Sequence, residues 1–179
     1  AEGEVLQLQH QHNPDSTEQD YLQIIYGKTS RLFMLATEGA SIITGATQHR
    51  QALQDYAKHF GNAFQIIDDI LDYSSDAATL GKNIGDDLLE GKPTLPLIAA
   101  MQRCHGEDLA LIRKSIQTGG LADLDRVIAL VHDSGALAYC QQRANEETQR
   151  ALEAIGQLPA SVYRDGLANL AQLALNRLS

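Results

Sequence analysis

Cysteine is scarce in this sequence. The chain contains only two, Cys104 and Cys140, which lie far apart and have no neighbouring His or Cys at the spacing of a zinc site. A zinc site is therefore not expected. The two cysteines are most simply interpreted as free, buried thiols in a reducing cytosol.

Basic residues and long apolar runs are also in short supply. Lys and Arg total 14 against 23 Asp and Glu, which gives a formal net charge of −9 at pH 7. Nucleic acid and anionic membrane surfaces both require clustered basic residues, so neither is expected as the main partner. No apolar run approaches the roughly 18 residues of a membrane span, and the N-terminus lacks the features of a secretory signal. We therefore predict a cytoplasmic protein without a membrane span.

Strand patterns are absent as well. No stretch alternates strictly between apolar and polar residues, whereas apolar residues recur at three- and four-residue steps between breaks that contain Pro, Gly or Ser. At 179 residues and 44% hydrophobic composition, one globular domain is the default. We predict an all-α helical bundle with short connections.

One predicted helix, from about 48 to 73, carries an acidic stretch in which Asp68, Asp69 and Asp72 lie among mostly apolar residues. On a helix Asp68 and Asp72 are one turn apart, roughly 6 Å along the axis, and Gln65 shares their face. Like charges at this spacing repel, so we expect a cation to offset them. Mg²⁺ is the obvious candidate, with Asp68 and Asp72 as ligands and Asp69 acting through water or orienting a ligand.

Two lysines follow the acidic stretch in glycine-flanked settings, Lys82 within 81–87 and Lys92 within 91–96. Glycine lets the backbone approach a phosphate closely, and lysine binds phosphate as a compact point charge. Each lysine alone would be interpreted as a surface residue. Together with the carboxylates and a metal ion, they predict a diphosphate site.

The helix that precedes this region is interrupted at 27–30, where Gly27 and two hydroxyl residues weaken helical structure. A kink or local unwinding there would expose Lys28 and Thr29. The same helix is expected to start at a capping box, formed either by Ser16 with Gln19 or by Thr17 with Asp20.

Several motifs together resemble the second aspartate-rich region of trans-isoprenyl diphosphate synthases: F-Q-x-x-D-D-x-x-D at 64–72, G-K-x-x-G-x-D at 81–87 and K-x-T-x-P at 92–96. The Lys28-Thr29 pair matches an upstream pair of that family. The segments 1–4 and 25–33 most resemble the bacterial octaprenyl diphosphate synthase branch. The resemblance spans essentially the whole chain, although beyond about Met101 it rests on helical pattern.

The resemblance implies a helical bundle of the isoprenoid-synthase type and a head-to-tail prenyltransferase. Such an enzyme joins isopentenyl diphosphate to an allylic diphosphate, and its product here would be of medium or long, octaprenyl-like length for a quinone side chain. It also implies Mg²⁺, a homodimer and release of the product to the membrane. The residues carried over are metal ligands Asp68, Asp72 and Asp69; diphosphate ligands Lys28, Thr29, Gln65, Lys82 and Lys92; and catalytic groups Asp68, Asp69, Asp72, Lys28 and Lys82.

The sequence departs from this family in one respect. A first aspartate-rich motif belongs well before the second, and nothing before Phe64 matches it. Residues 1–179 therefore look like the C-terminal part of a single all-helical domain, which alone is expected to be inactive and to expose apolar helix faces. Two alternatives remain: a non-catalytic subunit of a heteromeric prenyl synthase, and a terpene cyclase, whose different second motif we do not find.

Other polar residues are given structural roles. The six histidines are scattered, and none is expected to bind metal. Glu146 and Glu147 are interpreted as part of a solvated helix face. Asp87 is expected to support the site, either by capping a turn or by helping to hold Lys82.

Overall fold

The computed structural model describes residues 2–74 and 85–178, and no strand occurs within these ranges. Ten α-helices are found there: α1 Glu2–His10, α2 Glu18–Ile25, α3 Arg31–Ile43, α4 Arg50–Leu71, α5 Asp86–Leu89, α6 Leu95–Arg103, α7 Gly106–Thr118, α8 Leu124–Asp133, α9 Ala136–Gly156 and α10 Val162–Leu175. Short 3-10 helices lie at Thr47–His49, Leu121–Asp123 and Asn176–Leu178. The all-α prediction is confirmed.

Two helix starts can be explained by their local sequence. Of the two candidate capping boxes, Thr17 with Asp20 is the one that forms, since each side chain accepts from the other's backbone N–H. Helix α6 begins at Leu95 directly after Thr94, with Pro96 in its first turn, where its missing N–H is not needed.

The predicted interruption near Lys28 is a π-helix, Tyr26–Ser30. It joins α2 directly to α3, with no non-helical residue between them. A π-helix adds a residue to the turn and is disfavoured energetically, so it is found mostly as single turns. The sequence from 74 to 85 holds Ser, Asp and Gly without helical spacing and is expected to form a loop, but nearly all of it lies outside the described residues.

The centre of the molecule is the pair α4 and α9, which pack along each other. Helix α4 contributes fully buried Ile66 and Ile67, while α9 presents small residues such as Ala144 and Ala151. Small side chains let the two backbones approach closely. Helix α4 also contacts α3 and the π-helix, so that the acidic stretch at its end is held by several neighbours.

All of the chain's phenylalanines belong to one cluster. The Phe33 ring on α3 packs edge-on to Phe60 of α4 at a centroid distance of 5.0 Å and to Phe64 at 6.1 Å. Tyr56 stacks on Phe60 at 5.7 Å. Such aromatic pairs contribute about 0.5–1.5 kcal/mol each beyond their buried area. They fix α3 against α4 and thereby the π-helix between α2 and α3.

The interpretation of Glu147 as a solvated residue is wrong. The Glu146 side chain is 36% exposed, but that of Glu147 is only 4% exposed. The reason is that Glu147 lies on the face of α9 that packs against α4, where it meets His59 and Asn62.

Helix α3 has a strongly exposed apolar face, formed by Leu32, Leu35, Ile42 and Ile43, whose exposed fractions range from 58% to 87%. Exposed apolar faces were expected from the sequence. A contiguous patch of this kind is typical of a surface that contacts another polypeptide or an apolar ligand.

The structure can be compared with two expectations from the sequence, that the cysteines are free and buried and that the chain has no membrane span. Cys104 and Cys140 are both unpaired, but only Cys140 is buried, since Cys104 is partly exposed. In the described part of the chain, no helix has both the length and the apolar character needed to cross a bilayer.

Candidate functional site

A cavity of about 250 Å³ lies beside the C-terminal end of α4. Its walls come from the acidic stretch of α4, from α2 and the π-helix, and from the segment 86–94. Six of the predicted site residues line it: Asp68, Asp69, Asp72, Lys28, Gln65 and Lys92. The structure thus brings together residues that are up to 64 positions apart in the sequence. The predicted Lys82 lies outside the described residues.

Asp69 is a buried carboxyl group of the cavity that is held by two hydrogen bonds. Only 4% of the residue is exposed; its Oδ2 accepts a 2.7 Å hydrogen bond from the Tyr21 hydroxyl, and its Oδ1 accepts one of 2.9 Å from Gln65 Nε2. Burial and the charge of Asp87 raise the pKa of Asp69 well above its usual range, against these hydrogen bonds. Asp69 is therefore oriented by its neighbours, in surroundings that disfavour its charged form.

Asp72 and Asp87 form a second acidic pair on the same cavity. The backbone N–H of Asp87 donates to Asp72 Oδ2 at 3.1 Å, which ties the start of α5 to the end of α4. Burial and the negative charge of Asp87 raise the pKa of Asp72 to about 7. Burial also raises the pKa of Asp87, while the Lys92 ammonium opposes that rise. Asp87 thus contacts both Asp72 and Lys92, and its predicted support of the site stays a prediction.

The π-helix supplies Lys28 and Thr29. Lys28 lines the cavity and its Nζ donates to Gln7 Oε1 of α1 at 2.9 Å. Thr29, predicted to contact the ligand, is not among the lining residues, and its hydroxyl donates to Gln65 Oε1 at 2.8 Å. Gln65 consequently connects Thr29 to Asp69, so that the π-helix and the acidic stretch are held in a fixed relation.

Lys92 lies opposite α4 in the segment after α5. Its Nζ is 2.5 Å from Glu90 Oε2 and 3.6 Å from Asp87 Oδ1. Although burial opposes it, the hydrogen bond to Glu90 and the charge of Asp87 raise the pKa of Lys92, which keeps the side chain cationic. The cavity therefore contains two lysines, Lys28 and Lys92, among acidic residues that come both from the end of α4 and from the segment 86–90.

Arg177 is a residue near the site that sequence reasoning missed. It lies in the 3-10 helix after α10, and its Nη2 is 3.8 Å from Asp68 Oδ1. Its guanidinium also lies over the Phe64 ring, 5.6 Å from the centroid. No local pattern could have indicated this contact, because it joins residues more than one hundred positions apart.

The donor set fits a divalent cation that arrives with a phosphate ligand. Within the described ranges, no three His, Cys, Asp or Glu side chains are grouped closely enough to hold a metal ion by themselves. Mg²⁺ usually takes one or two carboxylates and completes its octahedron with water and substrate phosphates. Asp68 and Asp72 line one cavity, and burial together with the charge of Asp87 disfavours the ionised form of Asp72, a cost that a bound cation would offset.

Comparison with known proteins identifies the family of the chain. The family model described as Polyprenyl synthetase matches residues 1–132. The chain belongs to this family. Over 178 residues, this polyprenyl synthetase chain is 68% identical to the all-trans-nonaprenyl-diphosphate synthase (geranyl-diphosphate specific) of Rhodobacter capsulatus, covering 99% of the chain and 55% of that protein. Over 179 residues it is 46% identical to the octaprenyl diphosphate synthase of Escherichia coli (strain K12), with the same coverage.

Solved structures show the same fold. A decaprenyl diphosphate synthase from Rhodobacter capsulatus matches with a TM-score of 0.91 at 40% identity, over 99% of this chain and 56% of that one. A polyprenyl synthase from Caulobacter crescentus CB15, complexed with calcium and isoprenyl diphosphate, matches with a TM-score of 0.91 at 38% identity, over 99% and 55%. The predicted family and fold are confirmed, and this polyprenyl synthetase chain spans about half the length of the curated relatives it matches.

Proposed function

We propose that this polyprenyl synthetase chain forms part of a prenyltransferase that joins isopentenyl diphosphate head-to-tail to an allylic diphosphate. The observation that carries the proposal is the cavity in which the aspartates of α4 face Lys28 and Lys92. This mixture of anionic and cationic groups suits a diphosphate that is bound directly by lysine and indirectly through a divalent cation. The names of the relatives support the same reaction class.

The reaction breaks the allylic carbon–oxygen bond, and the electron pair leaves with the diphosphate. The double bond of isopentenyl diphosphate then attacks the allylic cation, a proton is lost, and the chain is five carbons longer. Negative charge grows on the departing diphosphate in the first step. Groups that stabilise this charge therefore lower the barrier most.

The residues of the cavity have different roles in this reaction. Asp68 and Asp72 would ligate Mg²⁺, which when bound supplies positive charge against the leaving diphosphate. Lys28 and Lys92 bind diphosphate oxygens directly. The remaining predicted residues act nearby: Gln65 orients Asp69 and accepts from Thr29, and Lys82 stays a predicted diphosphate ligand.

We further propose a medium- to long-chain product of octaprenyl type, since the relatives are named for octaprenyl, nonaprenyl and decaprenyl products. Such a product would serve as a quinone side chain and pass to the membrane. The complete protein would act in the cytoplasm as a homodimer, with residues 1–179 as the C-terminal part of one all-helical domain. The chain alone is expected to be inactive, because it spans only about half the length of its relatives.

Incorporation of labelled isopentenyl diphosphate by the complete protein tests the proposal. Asp68→Ala should lower kcat/KM at least roughly 100-fold, because it removes a metal ligand from the reacting diphosphate. Asp55→Ala is the matched control, since Asp55 lies on the same helix, outside the cavity lining, and its Oδ1 accepts a hydrogen bond from Gln51. Undiminished activity of Asp68→Ala would contradict the proposed role of the acidic stretch.

A further inference from the structure

A second buried carboxylate lies on α9, outside the cavity lining. Glu147 Oε2 is 2.9 Å from His59 Nδ1 and accepts a 2.9 Å hydrogen bond from Asn62 Nδ2. Its Oε1 accepts a 2.6 Å hydrogen bond from Arg150 Nη1. Burial alone would raise the pKa of Glu147, but the hydrogen bonds from His59 and Asn62 and the charges of His59 and Arg150 hold the pKa below its ordinary value. Glu147 is therefore an ionised group inside the helical core.

The charge of Glu147 sets the orientation of Asn62. A carboxylate can only accept hydrogen bonds, so the amino end of the Asn62 amide must face Glu147. The other end of the amide, Oδ1, accepts a 2.6 Å hydrogen bond from the Ser30 hydroxyl, and Ser30 is fully buried. Ser30 is the last residue of the π-helix. Two hydrogen bonds thus connect the charge on α9 with the segment that carries Lys28.

The π-helix backbone is also held tightly on two sides. A Cβ atom on Gly61 of α4 would lie 2.6 Å from Ser30 Cα, and one on Gly3 of α1 would lie 2.1 Å from Lys28 N. Both glycines are therefore required for the observed packing. Ser30 lies two residues after Lys28 in this confined segment, so a rotation of the π-helix would move both residues together. The hydrogen bond from Ser30 to Asn62 opposes such a rotation.

We propose that Glu147 is a positioning residue that acts through Asn62 and Ser30 to hold Lys28 at the cavity. The inference rests on the proposed function of that cavity as a diphosphate site. A buried ion pair is a poor source of stability, because apolar replacements are often neutral or stabilising. Such a pair can still favour one arrangement of the surrounding side chains, because all of its hydrogen bonds are satisfied only in that arrangement.

The test uses the complete protein, with pyrophosphate and Mg²⁺ as the probe and titration calorimetry as the measurement. Ser30→Ala and Glu147→Ala should each weaken pyrophosphate binding roughly tenfold, as expected when a residue that orients a ligand-binding group is removed. Glu147→Gln retains an acceptor for Asn62 and should recover part of the loss. Glu146→Ala is the control, since Glu146 is the next acidic residue on α9 and is 36% exposed; it should bind as the wild type does.

Comparison with Lys28→Ala separates positioning from general damage. If Glu147 acts through Lys28, the double variant Lys28→Ala/Glu147→Ala should bind no more weakly than Lys28→Ala alone, because coupled changes are not additive. Melting curves followed by circular dichroism identify the folded variants, and if Glu147→Ala does not fold, Ser30→Ala takes its place in the cycle.

The outcomes distinguish two failures. Additive losses in the double variant, or wild-type binding by a folded Ser30→Ala protein, would overturn the positioning role while leaving the diphosphate site intact. Wild-type binding by Lys28→Ala would overturn the proposed diphosphate site itself, and the positioning role with it.

Discussion

Three carboxyl groups around the cavity, those of Asp69, Asp72 and Asp87, share a raised pKa. Burial is the largest cause for each, and neighbouring negative charges add to it. Ionising them in the folded protein therefore costs free energy, which a bound cation would offset. The residues that make the ligand-free fold less stable are the same ones that favour a cation in the cavity.

The hydroxyl of Tyr21 is predicted to support Asp69. Tyr21→Phe removes the 2.7 Å hydrogen bond to Asp69 Oδ2 and leaves the buried ring in place. We expect the free energy of unfolding to fall by about 1–2 kcal/mol, because a buried carboxyl oxygen loses its partner. Urea denaturation measures this, with Tyr163→Phe as a control at a position that is 82% exposed. Equal stability of the two variants would show that Asp69 does not depend on Tyr21.

Among the secondary-structure elements, the π-helix is the one whose shape depends most on its neighbours. It has no side-chain cap, and it lies where α1 and α4 approach its backbone at Gly3 and Gly61. Its own sequence, with Gly27 at its second position, gives it little intrinsic helical preference. Tertiary contacts therefore decide that this segment forms a wide turn.

Substitution of Gly61 is predicted to disturb this element. Gly61→Ala would place a methyl group 2.6 Å from Ser30 Cα, and we expect the free energy of unfolding to fall by about 1–3 kcal/mol through overpacking. Gly39→Ala on α3 is the matched control, because a Cβ there meets nothing within 4 Å. Since alanine is the better helix former, that variant should be as stable as the wild type or more stable by up to about 1 kcal/mol. Chemical denaturation distinguishes the two, and a stable Gly61→Ala protein would contradict the close approach.

The elements also show which features can be predicted from sequence. Apolar spacing was sufficient for the helices and for the acidic stretch, because both depend on residues three and four positions apart. Glu147 was predicted to be exposed but is buried, because the sequence of α9 does not tell which of its polar positions faces α4. Arg177 was missed for a related reason, since its contact with Asp68 depends on how α10 returns to the end of α4.

At the scale of the whole molecule, α4 connects the core with the cavity. One side of it packs on α9 and the other on α3, and its end carries the acidic stretch. A ligand that binds this end should therefore stabilise the entire helical core, because the native state alone presents the cavity.

Thermal unfolding of the complete protein checks this coupling. With Mg²⁺ and pyrophosphate together near 100 times their dissociation constant, stability should rise by about 2.7 kcal/mol and the melting temperature by on the order of 5 °C. Chelation of the metal should remove most of the gain, because the diphosphate would then face the carboxylates uncompensated. Asp68→Ala should show little shift in either condition. If neither ligand changes the melting temperature, the proposed position of the diphosphate site is wrong.

The exposed apolar face of α3 has a consequence for handling the chain in solution. Four large aliphatic side chains on that helix face outward on a polypeptide whose net charge is −9. Electrostatic repulsion between copies opposes their association through this face, and its range shrinks from roughly 30 Å at 0.01 M salt to about 8 Å at physiological ionic strength. The solubility of the chain on its own thus depends on two opposing effects, association through the exposed apolar face and repulsion between negatively charged copies. Added salt screens the repulsion and therefore favours self-association.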